Sequence, residues 1–240
     1  MNDIIEVEGL TKKFPPDIYA LENLSLKIKK GITFGFLGPN GSGKTTLIRI
    51  LVGVLKPDSG KIRVISDSLS WAERSEKIGY MTQSSALYQE LTVAENLDFF
   101  ATIYGVSSKE KKKRIGELLS LVKLEGKERS AVNTLSGGMK QRLSLATSLV
   151  HKPELVFLDE PTVGVDPSLR VEFWDYFKKL NREGTSIVLS THVMDEAARC
   201  SELALLRDGK LLAQGKIEGI LSQAKTKNIE EAFLKLEGGE

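Results

Sequence analysis

One segment constrains the fold more than any other: residues 38–46 read Gly-Pro-Asn-Gly-Ser-Gly-Lys-Thr-Thr. This run fits the phosphate-loop pattern G-x-x-x-x-G-K-[ST], with Gly38, Gly43, Lys44 and Thr45 in the four fixed places. Glycines let the backbone bend tightly and aim successive N–H groups at phosphate oxygens. Lys44 adds a positive charge near the β- and γ-phosphates, and the Thr45 hydroxyl is a ligand for Mg²⁺.

The flanks of this segment agree with a nucleotide site. Residues 32–37 are an apolar strand candidate, and residues 44–54 have helical periodicity. The loop therefore joins a strand to a helix whose positive end points at the same phosphates. A glycine-rich surface turn is the alternative, and it does not explain why residue types, spacing and flanks all agree. The sequence thus predicts an ATP or GTP site built from Gly38, Pro39, Asn40, Gly41, Ser42, Gly43, Lys44, Thr45 and Thr46.

The composition limits the classes of protein to which the chain can belong. It has 240 residues, 41% of them hydrophobic and 28% charged, which is ordinary for a globular α/β domain with an inserted subdomain. Its 34 basic and 32 acidic residues give a formal charge of +2, so we expect no nucleic acid partner. The single cysteine, Cys200, excludes an internal disulfide and indicates a reducing compartment.

The pattern along the chain predicts a core interrupted by helices. Residues 87–150 show helical periodicity and no clear strand, with a capping box expected at Ser107 and Glu110. Short apolar runs on either side predict strands at 4–7 and 24–28, with Pro15-Pro16 breaking the chain between them, and at 61–65, 78–81, 155–158, 186–189, 203–206 and 211–214. An Asp208-Gly209 pair between two such runs predicts a hairpin. Residues 167–183 are predicted to form a helix with Pro in its first turn. We expect a single cassette over 1–240, with a core at 1–86 and 151–215, a helical subdomain at about 87–150, and a helical tail at 216–240.

Two acids, Asp159 and Glu160, follow a run of four apolar residues at 155–158. An uncompensated charge at the end of a buried strand is expensive, so these acids need a role. In a phosphate-loop enzyme the first acid holds Mg²⁺, usually through water. The second would polarise the water that attacks the γ-phosphate.

A second glycine pair stands at the start of a predicted helix, in Leu135-Ser136-Gly137-Gly138-Met139. Ser136 is a good N-cap, and the glycines expose backbone N–H groups. This is either an ordinary capped helix or a second anion site. Because one phosphate site is already complete, a second would serve a nucleotide held by another subunit.

Over about residues 4–215 the chain resembles the nucleotide-binding domain of ATP-binding cassette (ABC) proteins, with the motifs in that family's order. Residues 38–46 resemble Walker A, 135–139 the ABC signature, and 155–160 Walker B with its catalytic glutamate. Residues 163–166 resemble the D-loop. Single residues match the Q-loop glutamine, the switch histidine and the aromatic that stacks on adenine: Gln83, His192 and Phe14, with Tyr19 the second choice for the aromatic.

The resemblance implies an α/β P-loop NTPase of the ABC type, with an N-terminal antiparallel β subdomain and an inserted α-helical subdomain. It implies ATP and Mg²⁺ as cofactors. Catalytic roles fall to Glu160, His192, Gln83 and Lys44; metal binding to Thr45, Gln83 and Asp159; and nucleotide binding to Phe14, residues 38–46, Ser136, Gly137, Gly138 and Asp166. Met139, the D-loop residues Val163–Val165, and Phe14 in place of tyrosine depart from the common pattern without putting hydrolysis in doubt.

Stretches at 91–105, 164–167, 191–197 and 229–234 resemble the ABC-2 class of bacterial exporter ATPases. This implies a peripheral subunit on the cytoplasmic face of the cell membrane, working with a second cassette, the same or a related chain. No run approaches 18 apolar residues, so we expect the membrane-spanning partner to be a separate polytopic polypeptide. An importer ATPase, or a soluble ABC ATPase acting on nucleic acid or ribosomes, is the alternative.

Two smaller expectations concern residues outside these motifs. Residues near Gln83 are candidates for a groove that receives a helix of the membrane subunit, although the phenylalanines among them also suit the core of the helical subdomain. They are Leu87, Tyr88, Leu91, Phe99 and Phe100. His151 matches no motif, and we interpret it as an exposed loop residue.

Overall fold

The computed structural model describes residues 3–83 and 86–238, and their strands form two sheets. The strands are β1 (Asp3–Phe14), β2 (Ile18–Lys29), β3 (Thr33–Leu37), β4 (Ser59–Val64), β5 (Ile78–Met81), β6 (Leu155–Asp159), β7 (Ser186–Thr191), β8 (Glu202–Arg207) and β9 (Lys210–Gly215). One sheet is antiparallel with the order β2-β1-β4. The other has the order β5-β6-β7-β3-β8-β9 and is parallel except for β9.

Burial on both faces explains why the central strands of the larger sheet are mostly apolar. Every residue of β3, β6 and β7 is buried, as expected for parallel strands that are covered on both faces. These strands lie side by side with β3 and β6 on either side of β7, so their carboxyl ends meet at one edge. That edge is where the phosphate loop and the two acids begin.

The antiparallel sheet confirms the predicted N-terminal β subdomain, but β1 and β2 are much longer than the strands predicted at 4–7 and 24–28. Irregular pairing between β1 and β2 shifts which residues face inward, so the alternation that reveals a strand is lost over much of their length. The predicted break at Pro15-Pro16 is confirmed, since a turn there joins the two strands.

Helices occupy the predicted places, together with two short α-helices at Trp71–Ser75 and Met194–Ala197 and a 3-10 helix at Val132–Thr134 that were not predicted. The described helices are α1 (Lys44–Leu51), α2 (Trp71–Ser75), α3 (Val93–Ile103), α4 (Ser108–Leu121), α5 (Gly137–Leu149), α6 (Pro167–Arg182), α7 (Met194–Ala197), α8 (Ile217–Gln223) and α9 (Ile229–Gly238). Helices α3, α4 and α5 contact one another and form the inserted helical subdomain. Within 3–83 and 86–238, none of the helices has the length and apolar character that crossing a membrane requires. The predicted subdomain bounds stay predictions.

The capping box predicted at Ser107 and Glu110 is wrong. Ser107 is the N-cap of α4, but its hydroxyl bonds the Glu110 carboxylate at 2.5 Å and does not accept from a backbone N–H. A complete capping box lies instead at α3, where Thr92 Oγ1 accepts from the Glu95 N–H and the Glu95 carboxylate accepts from the Thr92 N–H. Both sequences fit the S/T-x-x-E pattern, and the pattern alone does not tell which one closes.

The expectation that His151 is an exposed loop residue is wrong about its exposure, although the residue does lie in the turn after α5. Its ring stacks on Tyr104 with centroids 3.7 Å apart, and its Nε2 lies 3.1 Å from the carbonyl oxygen of Ile78. Burial lowers the pKa of His151 to about 4, so it is neutral at physiological pH. His151 therefore packs the helical subdomain against β5.

The two helix starts make a matched pair for testing capping. We expect Thr92→Ala to lower the free energy of unfolding by about 1 kcal/mol, because it removes a reciprocal cap. Ser107→Ala should lower the free energy of unfolding by only about a few tenths of a kcal/mol, because no backbone N–H loses its acceptor. Urea unfolding of both variants measures the difference, and equal losses would show that the Thr92 box contributes nothing of its own.

Candidate functional site

The phosphate loop joins β3 to α1, and its glycines are required by close contacts. A Cβ on Gly43, which has φ 100°, would lie 2.4 Å from the Ala20 carbonyl oxygen. A Cβ on Gly38 would lie 2.2 Å from the Leu206 carbonyl oxygen. No side chain caps the N-terminus of α1, so its N–H groups are left for an anion.

Lys44 is buried at the start of α1 and folds back over the loop. Its Nζ donates to the carbonyl oxygens of Gly38 at 2.7 Å and Pro39 at 2.8 Å. Burial lowers the pKa of Lys44, while the nearby carboxylates of Glu160 and Asp159 act in the opposite direction. The loop thus surrounds a cation that is held close to two acids.

Asp159 is fully buried at the end of β6 and forms the junction of the site. Thr45 Oγ1 donates to its Oδ1 at 3.1 Å, and Ser190 Oγ donates to the same oxygen at 2.5 Å. In the part of the chain that the structure describes, the other oxygen, Oδ2, is buried without a hydrogen-bond partner. A free carboxylate oxygen beside a threonine hydroxyl is a hard-oxygen donor set, and it fits Mg²⁺.

Glu160 is held in a left-handed backbone conformation, with φ 54°. Its N–H donates to Ser190 Oγ at 3.1 Å, and its carbonyl oxygen accepts from Gln141 Nε2 at 2.9 Å. Such a conformation is costly for a residue other than glycine and persists where contacts fix it from both sides. The side chain then lies with Oε1 3.1 Å from His192 Nδ1, so the predicted catalytic acid and switch histidine are in contact.

The predicted signature segment starts α5 as expected, with the Met139 N–H donating to Ser136 Oγ at 3.3 Å. A Cβ on Gly138 would lie 2.8 Å from the Gly164 carbonyl oxygen, so signature and D-loop are adjacent within one chain. Asp166 caps α6, because its Oδ1 accepts from the Leu169 N–H at 3.0 Å and from Ser168 Oγ at 2.7 Å. Its predicted role in nucleotide binding stays a prediction.

The remaining predicted residues lie at the periphery. Gln83 is exposed beyond the end of β5, and within 3–83 and 86–238 no hydrogen bond joins it to Asp159 or Thr45. Phe14 and Tyr19 are 41% and 42% exposed, so exposure does not choose between them as the aromatic that stacks on adenine. Asn40 and Gly41 are exposed on the phosphate loop, and Thr46 is half-buried on α1.

Sequence reasoning missed the residues that hold this site together. Ser190 bonds both the Asp159 carboxylate and the Glu160 N–H, and Gln141 fixes the Glu160 carbonyl. The available signal was the Ser190-Thr191 pair, two hydroxyls at the end of an otherwise apolar buried strand. Nothing local in the sequence marks Gln141, which reaches Glu160 only through the packing of α5.

Comparison with known proteins agrees with this geometry. The profile of the family described as ABC transporter matches residues 21–163. The probable multidrug ABC transporter ATP-binding protein YbhF of Escherichia coli is 38% identical over 97% of this chain, which spans only 41% of that relative's length. The Nod factor export ATP-binding protein I of Ralstonia nicotianae is 36% identical over 96% of this chain and 72% of its own.

A solved structure extends the similarity to three dimensions. The ATP-binding cassette MJ0796, in a dimeric post-hydrolysis state with ADP and Pi, has a TM-score of 0.81 and is 30% identical. The similarity covers 89% of this chain and 98% of that one.

The close contact at Gly43 generates a test of the loop. Gly43→Ala should weaken binding of a fluorescent ATP analogue by at least about tenfold, because the new Cβ meets the Ala20 carbonyl at an unfavourable φ. Gly219→Ala is the matched control, since a Cβ there meets open space on α8. If Gly43→Ala bound the analogue as tightly as the control, the described loop would not be the phosphate site.

Proposed function

This chain belongs to the ABC transporter family, and we propose that its ATPase activity drives export by a membrane complex of the ABC-2 class. One observation carries the catalytic part of this proposal. The Asp159 junction brings Lys44, Thr45 and Glu160 to one edge of the sheet, where the phosphate loop opens. Support for export comes from relatives that match nearly all of this chain and are named for multidrug or Nod factor export.

The position of each residue determines its role in the proposed hydrolysis of ATP. The loop N–H groups and Lys44 bind the phosphates, and Phe14 stacks on the adenine. Thr45 and Asp159 Oδ2 would hold Mg²⁺, and Gln83 would approach it from its loop. The metal would supply positive charge that offsets the negative charge of the phosphates.

Glu160 orients the attacking water and takes a proton from it through a carboxylate oxygen. The water oxygen bonds to the γ-phosphorus as the bond to the β–γ bridging oxygen breaks, and ADP leaves with the electron pair. His192 contacts Glu160 in the structure. In the complex it donates to the γ-phosphate and stabilises the developing charge.

A second cassette completes each site. Ser136, Gly137 and Gly138 present a capped helix start with exposed N–H groups, and no described contact turns them toward the phosphate loop of their own chain. In the proposed assembly two cassettes dock head to tail, with each ATP between the phosphate loop of one and this segment of the other. The dimeric cassette with ADP and Pi supports such an arrangement.

Glu160→Gln tests the catalytic assignment. The variant should lose at least about 100-fold in ATP turnover while keeping ATP affinity, because an amide binds water but takes up no proton. With Mg-ATP it should also accumulate as a dimer, measured by light scattering after size exclusion. Glu172→Gln, on the exposed side of α6, is the control and should behave as wild type. Turnover by Glu160→Gln at the control rate would overturn the assignment.

A groove on the helical subdomain suits the membrane subunit. It has a volume of about 770 Å³ between α3 and α4, and charged residues of both helices lie beside its apolar lining of Leu91, Ala94, Phe99, Ile103 and Ile115. Tyr88 is 47% exposed and packs edge-on against Phe99, with centroids 4.4 Å apart. The sequence-based set is corrected in part, because Leu87 is buried and Phe100 packs against the core.

Substitutions at two aliphatic residues of equal size and equal exposure test whether this groove is the docking surface. Ile103 in the groove and Leu234 on α9 are both 62% exposed. We expect Ile103→Asp to abolish copurification of a polytopic membrane protein, because it places a charge on an apolar docking surface. Leu234→Asp should leave it unchanged, and ATP affinity should be the same in both. Equal capture by the two variants would place the docking surface elsewhere.

An importer and a soluble ATPase of this family are the competing roles. An importer would also capture a membrane protein, and uptake or efflux by reconstituted vesicles separates the two directions. A soluble ATPase would copurify with ribosomes or nucleic acid and with no membrane subunit. The proposed exporter places the cassette on the cytoplasmic face of the membrane.

A further inference from the structure

A buried carboxylate beside the site has no part in the mechanism above. Glu196 lies on α7, and its side chain is only 4% exposed. Its Oε2 accepts from Thr191 Oγ1 at 2.7 Å, and its Oε1 accepts from Thr162 Oγ1. Arg170 Nε lies 3.9 Å from Oε1 and supplies a counter-charge.

The three partners of Glu196 belong to three different segments of the site. Thr162 lies between Glu160 and Asp166, on the loop that joins Walker B to the D-loop. Arg170 lies in the first turns of α6, just after that D-loop. Thr191 immediately precedes His192. One carboxylate therefore connects the histidine segment with the loop that carries the catalytic acid.

The link to His192 is fixed on both sides of that residue. Thr191 Oγ1 donates to Glu196 and accepts from the Val193 N–H at 2.9 Å. The Thr191 hydroxyl therefore links the two residues that flank His192, and it is itself hydrogen-bonded to Glu196. His192 itself stays exposed and reaches Glu160 Oε1.

Burying a carboxylate in this position costs folding free energy. Burial raises the pKa of Glu196, and two hydroxyl donors with one distant arginine only partly offset the loss of water. The other strongly buried glutamate in the described residues, Glu202 on β8, has a direct ion pair with Lys29 at 2.5 Å and lies away from the catalytic segments. Glu202 is therefore a matched control for a structural role.

We propose that Glu196 is a positioning residue that couples the His192 segment to the loop carrying Glu160 and Asp166. Through Thr191 it sets where His192 stands, and through Thr162 it sets the path of the chain between the catalytic acid and the D-loop. The two loops then move as one unit when a second cassette docks. This inference rests on the proposed roles of Glu160 and His192.

Glu196→Gln is the primary test, since it keeps the shape and removes one acceptor. In either orientation of the amide, its nitrogen faces the hydroxyl of Thr162 or of Thr191, and that hydroxyl can no longer donate a hydrogen bond to residue 196. We expect kcat to fall about tenfold with an unchanged KM for ATP. Glu202→Gln should leave kcat at the wild-type value even if its melting temperature falls.

A double mutant separates positioning from general destabilisation. If Glu196 acts partly through His192, then Glu196→Gln should lower kcat by clearly less than tenfold in the His192→Ala background, because one of the two segments that it positions no longer carries its functional side chain. A full tenfold loss on top of His192→Ala would overturn the proposal, as would a wild-type kcat for Glu196→Gln alone. Wild-type turnover by His192→Ala would instead contradict the proposed role of the histidine.

Thr162 provides an independent readout if Glu196→Gln does not fold. Thr162→Val removes the hydroxyl that donates to Glu196, and Thr162→Ser keeps it. We expect Thr162→Val to lower kcat in the same way and Thr162→Ser to restore most of it. Equal kcat values for the two variants would overturn the coupling through this loop.

Discussion

The buried carboxylate of Asp159 is the interaction on which the rest of this molecule depends. It ends β6, and it accepts from Thr45 at the start of α1 and from Ser190 near the end of β7. These bonds fix the phosphate loop relative to the central strands, and Ser190 also holds the backbone of Glu160. Because the other oxygen is buried and keeps no hydrogen-bond partner among the described residues, the junction also retains one donor atom for the proposed Mg²⁺.

Around this junction the site is arranged as two layers. The inner layer contains Lys44, Thr45 and Glu160, to which we assign the proposed contacts with the phosphates, the metal and the attacking water. The outer layer consists of hydroxyls and one acid that fix the loops, with Glu196 joining Thr162 to Thr191. Outer contacts of this kind decide whether the inner groups stand within reach of the substrate. Gly138 lies close to Gly164, since a Cβ on Gly138 would be 2.8 Å from the Gly164 carbonyl oxygen, so in the proposed dimer a shift of one segment would displace the other.

Sequence alone predicted the fold class and proposed a site that combines the phosphate loop with Asp159 and Glu160, because each of these motifs leaves a local pattern. It did not predict contacts made by distant packing. The Asp208-Gly209 hairpin was predicted correctly, yet its support of the phosphate loop was not, and the Gly209 N–H donates to the Ser42 carbonyl. His151 was misread for the same reason, because its contacts with Tyr104 and Ile78 come from other elements. The Ser107 box was misread because the S/T-x-x-E pattern does not tell whether the hydroxyl bonds the backbone N–H or the carboxylate. Irregular pairing between β1 and β2 disrupts the alternation of buried and exposed residues, so most of the length of these two strands was not predicted.

The central claim is that Asp159 holds the metal of an ATP site, and the Mg²⁺ dependence of ATP affinity tests it most directly. Titration calorimetry with and without Mg²⁺ compares wild type with Asp159→Asn, whose side chain has the same shape and no charge. The account predicts that Mg²⁺ tightens ATP binding in the wild type and has little effect in the variant, while affinity without metal stays similar. An equal gain from Mg²⁺ in both proteins would contradict the assignment of Asp159 as the metal-binding residue.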